Sequence, residues 1–265
     1  MLAKERYAYI MNCLQKSGAI TTGELMEALQ VSIETVRRDL LHLERLGKLQ
    51  RVHGGAVSQG EMQPYKALPQ RLEANASGKT ELCEVAALLV NEDDIIFVDS
   101  GSTAVFFAKA LLAKGIRLTV VTHSMDVFEI LSGKENFQVI LCGGFYDSAE
   151  KAFHGHLTLD TLRQLHVGKA FLCPSAISLR NGVWDYHPAL VQVQAQVIAA
   201  SDQVVFLADS DKFEKNAMLK LSDTSARHIY VTDSALPSHI KQIFLEHGIP
   251  IITEMHDLEG SGTLK

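Results

Sequence analysis

The chain has no long hydrophobic run. Nowhere do about 18 apolar residues follow one another, so no membrane span is expected. Its first residues, MLAKERYAYIMNCLQKSG, scatter charge and offer neither an unbroken apolar stretch nor a small-residue cleavage site, so no secretory signal is expected. Cys13, Cys83, Cys142 and Cys173 lie far apart and form no C-x-x-C pair. Such spacing argues against a disulfide framework or a zinc site and fits buried thiols in a reducing cytosol. Internal repeats and low-complexity tracts are missing too, so solenoid and fibrous architectures drop out.

What is present fits a globular protein with sizeable cores. The chain has 265 residues, 47% of them apolar and 21% charged, enough for one large or two smaller domains. The formal charge of −6 is unevenly spread. Residues 1–57 carry eight Lys/Arg against six Asp/Glu, a net of +2, which leaves −8 for the remainder. A positive segment on an acidic body predicts that one end meets a polyanion and the other does not.

That segment reads as three helices and a hairpin. Ile10, Cys13 and Leu14 fall at helical spacing within 4–16, and Ser17-Gly18 stops them. Thr22 can cap a short helix with Leu25, Ala28 and Leu29 on its apolar side. Ser32 can cap a third, from Ile33 to Leu46, because its hydroxyl can accept from a free amide of the next turn. Val36, Leu40, Leu43 and Gly47 fall on its buried face; Thr35, Arg38, His42 and Arg45 face away, with Arg37 on the flank. KLQRVHGGAV then alternates like a hairpin, with Gly54-Gly55 near its turn. Two helices with a tight turn, and arginines early in the second, predict a helix-turn-helix that reads double-stranded DNA. Thr35 and Arg38 are the expected base readers. Arg37 is the expected phosphate contact, and Arg51 and His53 reach out from the wing.

Residues 58–70 are polar, contain Pro64 and Pro69, and read as a linker. A helix is expected over 71–90. Seven short apolar strands follow, DIIFVDS, RLTVVTH, FQVILCGG, KAFLCPS, QVVFLADS, RHIYVTDS and IPIITE, most of them separated by helix-length segments at 103–114, 125–132, 187–201 and 237–247. Strands this uniformly apolar predict a parallel sheet covered on both faces. Ligands of open α/β sheets bind beyond the carboxyl ends of strands. Asp99, Gly101, Ser102 and Thr103, then His123 and Ser124, Gly143 and Gly144, and Asp209 and Lys212 all fall at such ends, with Lys79 on the preceding helix. Free amides and hydroxyls at the helix start after Asp99 suit a phosphate.

VSIETVRRDLLHLERLGKLQRVHGGA closely resembles the winged-helix signature of DeoR-family bacterial transcription regulators: the Thr-x-Arg-Arg-Asp-Leu core, the Leu-Glu-x-x-Gly helix end and the Arg-x-His-Gly-Gly-Ala wing are all present. VDSGSTA, VVTHS and LADSDKF extend the resemblance through the body. It implies an α/β fold: an N-terminal winged helix-turn-helix plus a mostly parallel, Rossmann-like domain similar to ribose-5-phosphate isomerase and the coenzyme A transferases. The implied divisions are 1–57, a linker at 58–70, a sensor domain at 71–256 and a disordered tail at 257–265. The implied function is operator binding, most often repression, through Ser32, Thr35, Arg37, Arg38, His42, Arg51, His53 and Gly54. A sugar or sugar-phosphate effector in the body would control it, in a cytoplasmic homodimer or homotetramer without cofactor or metal. The chain departs from the family in having His123 for a usual asparagine, FLCPSAIS for a Gly-rich stretch, and Ala189, Leu190 and Gln194 where charged residues are common.

Three further readings accompany this one. His154-Gly155-His156 has no third ligand nearby and reads as a surface loop. Trp184 and Tyr186 either stack on a sugar ring or plug the sheet edge. A sugar-phosphate isomerase or transferase using Asp99, Asp209 and Lys212 is the competing function, although no complete catalytic constellation accompanies them.

Overall fold

The computed structural model describes every residue except Met1, Gly18, His53, Gln59, Gly60, Gln63, Pro64 and 261–265. The N-terminal unit contains α1 (Ala3–Ser17), β1 (Ala19–Thr21), α2 (Thr22–Leu29) and α3 (Ile33–Arg45). Thr21, rather than Thr22, caps α2. Its hydroxyl accepts from the Glu24 amide at 3.1 Å, while Glu24 accepts from the Thr21 amide at 2.8 Å, a reciprocal box that satisfies two free donors. Ser32 caps α3 as expected, accepting from the Thr35 amide at 3.4 Å.

Val36, Leu40 and Leu43 are buried with Ile10, Leu14, Leu25 and Leu29. Gly47 does not share that face. It is exposed beyond the helix end, where φ of 67° lets it turn the chain away. The hairpin strands are β2 (Leu49–Val52) and β3 (Gly55–Ser58), and β1 pairs with the outer side of β3. Only glycine fits at position 55, since a Cβ there would lie 2.2 Å from the Ile20 carbonyl oxygen. Three residues are too few to show alternation, which is why β1 was not legible.

The segment expected to be a free linker is tied to the body. Strand β4 (Glu61–Met62) pairs in parallel with a later strand, and α4 (Leu68–Glu73) starts within the linker range, with Pro69 in its first turn. The single helix expected over 71–90 is two, because Asn75 takes a left-handed conformation and caps α5 (Ala76–Ala87) through its side chain.

The body then runs β5 (Ile95–Val98), α6 (Ser102–Lys114), β6 (Leu118–Thr122), α7 (Met125–Leu131), β7 (Phe137–Leu141), β8 (Phe145–Asp147), β9 (Ala152–His154), α8 (His156–Arg163) and β10 (Val167–Leu172). It continues through β11 (Ala176–Ser178), β12 (Gly182–Asp185), α9 (Pro188–Ala199), β13 (Ser201–Leu207), β14 (Lys215–Asn216), β15 (Leu219–Ser222), β16 (Ile229–Val231), α10 (Ser238–Glu246), β17 (Ile251–Ile252) and α11 (Met255–Gly260). All seven expected strands form one parallel sheet, ordered β17-β16-β13-β10-β5-β6-β7. Helices α5, α6 and α7 cover one face, where Ile96, Val98 and Phe107 are buried. Helices α8, α9 and α10 cover the other, around Phe97, Val193 and Phe244. Burying each such side chain contributes about 1.5–3 kcal/mol.

Strand order reverses between β5 and β10, which opens a crevice beyond their carboxyl ends. The antiparallel strands β11-β12-β15 and the hairpin β8-β9 stand over that end of the sheet as additions that the sequence pattern did not reveal. His154 and His156 end β9 and begin α8 rather than forming a loop. The expected tail is also shorter. Asp257 accepts from the Thr253 amide and from Lys241, each at 2.8 Å, so helical order continues through Gly260; residues 261–265 lie outside the described set. No helix among the described residues is long and apolar enough to cross a membrane.

The Arg-Arg-Asp run divides its labour. Arg37 and Arg38 are exposed, but Asp39 is buried and receives a fork from Arg6, Nε at 2.6 Å and Nη2 at 3.0 Å. This pair clamps α3 to α1. Asp39→Ala leaves the guanidinium without its bidentate partner and is expected to destabilise the N-terminal unit by about 2–4 kcal/mol in denaturant unfolding.

Candidate functional site

Two sites emerge. On the N-terminal unit, α3 presents Arg37, Arg38 and His42 to solvent, with Ser32 exposed at its start and Thr35 half-buried. His42 stacks on Tyr7 with ring centroids 4.9 Å apart. The Arg51 amide donates to Glu44 at 2.9 Å and its Nε at 3.0 Å, so Glu44 holds the side chain beside α3. Gly54 turns the wing with φ of 85°; His53 lies outside the described residues. Arg37, Arg51 and Gly54 face a cleft whose opposite wall is Leu179, Arg180, His247 and Ile249 of the body.

The second site is the crevice at the sheet's switch point. Asp99, just past β5, is its anchor. Its carboxylate accepts from its neighbour's amide, Ser100 N, at 2.8 Å and from the Cys173 amide past β10 at 2.9 Å. It also accepts from Gln194 Nε2 on α9 at 2.9 Å and lies 3.0 Å from His123 Nε2 past β6. Burial alone would raise the Asp99 carboxyl, but the His123 hydrogen bond and charge, with the Cys173 amide and Gln194, hold it below the ordinary carboxylate range. The other His123 nitrogen faces the Phe153 carbonyl oxygen at 2.8 Å, so both ring positions meet acceptors. Burial, then the nearby Asp99 charge, pushes the Cys173 thiol well up, which makes it a poor nucleophile.

Two lobes open from this anchor. One is lined by Lys66, Arg71, Asn75, Lys79, Ser102, Asp209, Lys212 and Lys215 and leaves about 160 Å³. Ser102, the first residue of α6, lines this lobe, so the positive end of the helix lies beside it. Lys79 is buried 3.3 Å from Asp209. Burial lowers the Lys212 ammonium; Asp209 offsets that in part, and the charges of Lys79, Arg71 and Lys66 lower it further. Five cations against two carboxylates, Asp209 and Asp211, give this lobe the positive balance that suits an anion.

The other lobe is lined by Tyr65, Arg71, Ser100, Gly101, Glu150, Ser175, Asp185, Tyr186, His187, Leu190, Gln194 and Lys212. The Tyr65 hydroxyl donates to Glu150 at 2.6 Å, and Arg71 pairs with the same carboxylate. Tyr186 OH, His187 Nδ1 and Gln194 Oε1 are buried without a hydrogen-bond partner among the described residues.

Gly101, Ser102, Lys79, Asp209 and Lys212 line the two lobes, and Asp99 is buried next to them on the Ser100 amide. Thr103 is buried just behind Ser102, and His123 is buried against Asp99 and lines neither lobe. Ser124 is instead the cap of α7. Gly143 and Gly144 line neither lobe; a Cβ on Gly144 would lie 2.2 Å from the Thr158 hydroxyl, so that glycine serves helix α8 packing. Trp184 sits on β12 with its Nε1 donating to Asn181, while Tyr186 turns into the pocket and packs edge-on to Tyr65. Sequence reading missed Lys66, Arg71, Glu150, Asp185 and His187; the cations in YKALPQR were the one visible signal.

A winged helix joined to a polar pocket at the switch point of a parallel sheet defines a ligand-responsive DNA-binding transcriptional regulator. Residues 6–61 match the DeoR-like helix-turn-helix domain, and residues 74–234 match the DeoR C-terminal sensor domain. The chain is 32% identical to an L-fucose operon activator of Haemophilus influenzae, over 91% of this chain and 96% of that protein. It is 31% identical to the transcriptional repressor AccR of Agrobacterium fabrum, over 91% and 93%. Ribose 5-phosphate isomerase A of Neisseria gonorrhoeae overlaps 51% of this chain and 52% of its own, at 20% identity and a TM-score of 0.39. The chain belongs to the DeoR family, and is a regulator rather than an enzyme.

Just past Lys212, the buried Glu214 carboxyl is pushed up to about 7 by burial, which its hydrogen bonds from Leu179 N and Ser178 only partly offset. A carboxyl raised in the fold favours its protonated form there. The associated stability is present below about pH 4.5 and is lost as pH rises through about 7, roughly 3 kcal/mol in all. Glu214→Gln should therefore match the parent near pH 4.5 and exceed its unfolding free energy at pH 8.

Proposed function

We propose that the chain binds operator DNA through α3 and the wing and that a phosphorylated sugar metabolite in the crevice shifts this binding. The observation that carries the reading is the place of residues 65–71. Tyr65, Lys66 and Arg71 belong to the segment leading out of the wing, and they are also walls of the pocket. A ligand there touches the connection between the two units directly. It can bias DNA binding only by favouring one arrangement of them over the other.

The cation lobe at the start of α6 takes the phosphate. Lys79, Ser102 and Lys212 hold it with Lys66 and Arg71, while Asp99 and His123 join the strand ends behind it. On the DNA side, Thr35 and Arg38 meet base edges. Ser32, Arg37, His42, Arg51 and Gly54 meet the backbone or position the helix. A duplex on Arg37 and the wing must occupy the cleft facing Arg180, so closing that cleft is a direct route to release. Repression of a sugar-catabolic operon in the cytoplasm follows this logic; of the two relatives, one is named as a transcriptional repressor and the other as an activator of an L-fucose operon. A homodimer or homotetramer supplies two copies of α3 for a palindromic operator.

Electrophoretic mobility and footprinting assays test the DNA half. Arg37→Ala should weaken binding on all sequences and reduce the salt slope by about one. Arg38→Ala should in addition relax preference at one base pair by about 1–3 kcal/mol. Unchanged affinity and preference in both variants would overturn the assignment of α3. In the sensor half, Lys212→Ala should abolish release by sugar phosphates while sparing operator binding.

A further inference from the structure

The two lobes of the crevice differ in chemistry. One concentrates cations; the other shares Lys66, Arg71 and Lys212 with it but adds the buried acceptors of Asp185 and Gln194. Asp185 is 8% exposed and its carboxylate receives Ser175 Oγ at 2.8 Å, its neighbour's amide Tyr186 N at 2.7 Å and Gln194 Nε2 at 3.0 Å. All three donors are neutral. Among the described residues no lysine, arginine or histidine forms an ion pair with it, whereas Asp99 has His123 and Glu150 has Arg71. Burial pushes the Asp185 carboxyl up, and the charge of Asp99 adds to that, so a carboxylate here lacks a counter-charge.

Gln194 sharpens the point. Its Nε2 lies 2.9 Å from Asp99 and 3.0 Å from Asp185, so the amide orientation is dictated by two acceptors. The oxygen Oε1 is therefore turned away from both carboxylates. It is buried on a residue 2% exposed that lines the same lobe, and it has no hydrogen-bond partner among the described residues. An acceptor-only atom beside an uncompensated carboxylate calls for a ligand group that donates and is positive. A ligand carboxylate would meet repulsion from Asp185 and leave Oε1 without a donor.

Building on the reading of the cation lobe as a phosphate site, we propose that the effector is an amino-sugar phosphate. Its phosphate lies among Lys66, Arg71, Lys79 and Lys212, and its ammonium donates to Asp185 and to Gln194 Oε1. Asp185 is then the residue that selects the amino sugar over its neutral parent.

The test is isothermal titration of the full chain at pH 7 with glucosamine, galactosamine and mannosamine 6-phosphates, each against its parent hexose 6-phosphate. At least one amino sugar phosphate should bind about tenfold or more tightly than its parent, the usual value of a charge-assisted hydrogen bond. Asp185→Asn should erase that preference, and Lys212→Ala should weaken both members of the pair. Parent sugars that bind as tightly as the amino sugars, with Lys212 still required, would overturn the amino-sugar assignment and leave the phosphate reading standing. If no phosphate ester binds, or if binding is indifferent to Lys212, both fail. A preference that survives Asp185→Asn in a variant with the parent's unfolding curve would also overturn the proposal.

Discussion

A single buried carboxylate organises the sensor domain. Asp99 joins the ends of β5, β6 and β10 to helix α9 through the Ser100 and Cys173 amides, His123 and Gln194. A carboxylate in such a place is tolerated only because its lone pairs are so fully met. It sits where the strand order reverses, the one place where a parallel sheet leaves room between its covering helices. The pocket's shape and the polarity of its walls follow from that bond set. So does the posture of Gln194, whose remaining oxygen is left facing ligand space.

The coupling between sensing and DNA binding has an equally simple physical basis. The chain leaves the wing, pairs β4 with β14, and then lays Tyr65 and Lys66, followed by Arg71 on α4, along the crevice. Arg71 and Tyr65 share Glu150, so the segment is held by a buried charge and by a phenol, not by apolar packing alone. Such contacts are sensitive to a competing anion, because Arg71 is also a wall of the cation lobe. On the proposed reading, a phosphate in that lobe would draw on the same guanidinium as Glu150, which would make the connection responsive without a large hydrophobic rearrangement.

The resemblance to the DeoR family and the structure agree on the fold and differ in detail. VDSGSTA and LADSDKF do converge, and the Ser32 cap and the buried face of α3 lie where helical spacing put them. Asp39 illustrates a motif residue whose role is structural: it follows two arginines that face solvent, and the angle of 100° per residue turns it inward onto Arg6. Gly144 illustrates the reverse, a strand-end glycine that resembles a ligand contact and instead admits Thr158.

The sequence by itself determined what local pattern can carry: the helix periods, the Ser32 cap, the seven apolar strands and their parallel class, and the division between a positive reading head and an acidic body. Only the tertiary structure decided which strand ends meet. It brought Lys66 and Arg71 from the connecting segment, Glu150 from beyond β8, and Asp185, His187 and Gln194 from around α9 into one crevice. Those residues carry no shared spacing. Their proximity depends on strand order and on short antiparallel additions, both set by long-range pairing that a local pattern cannot encode.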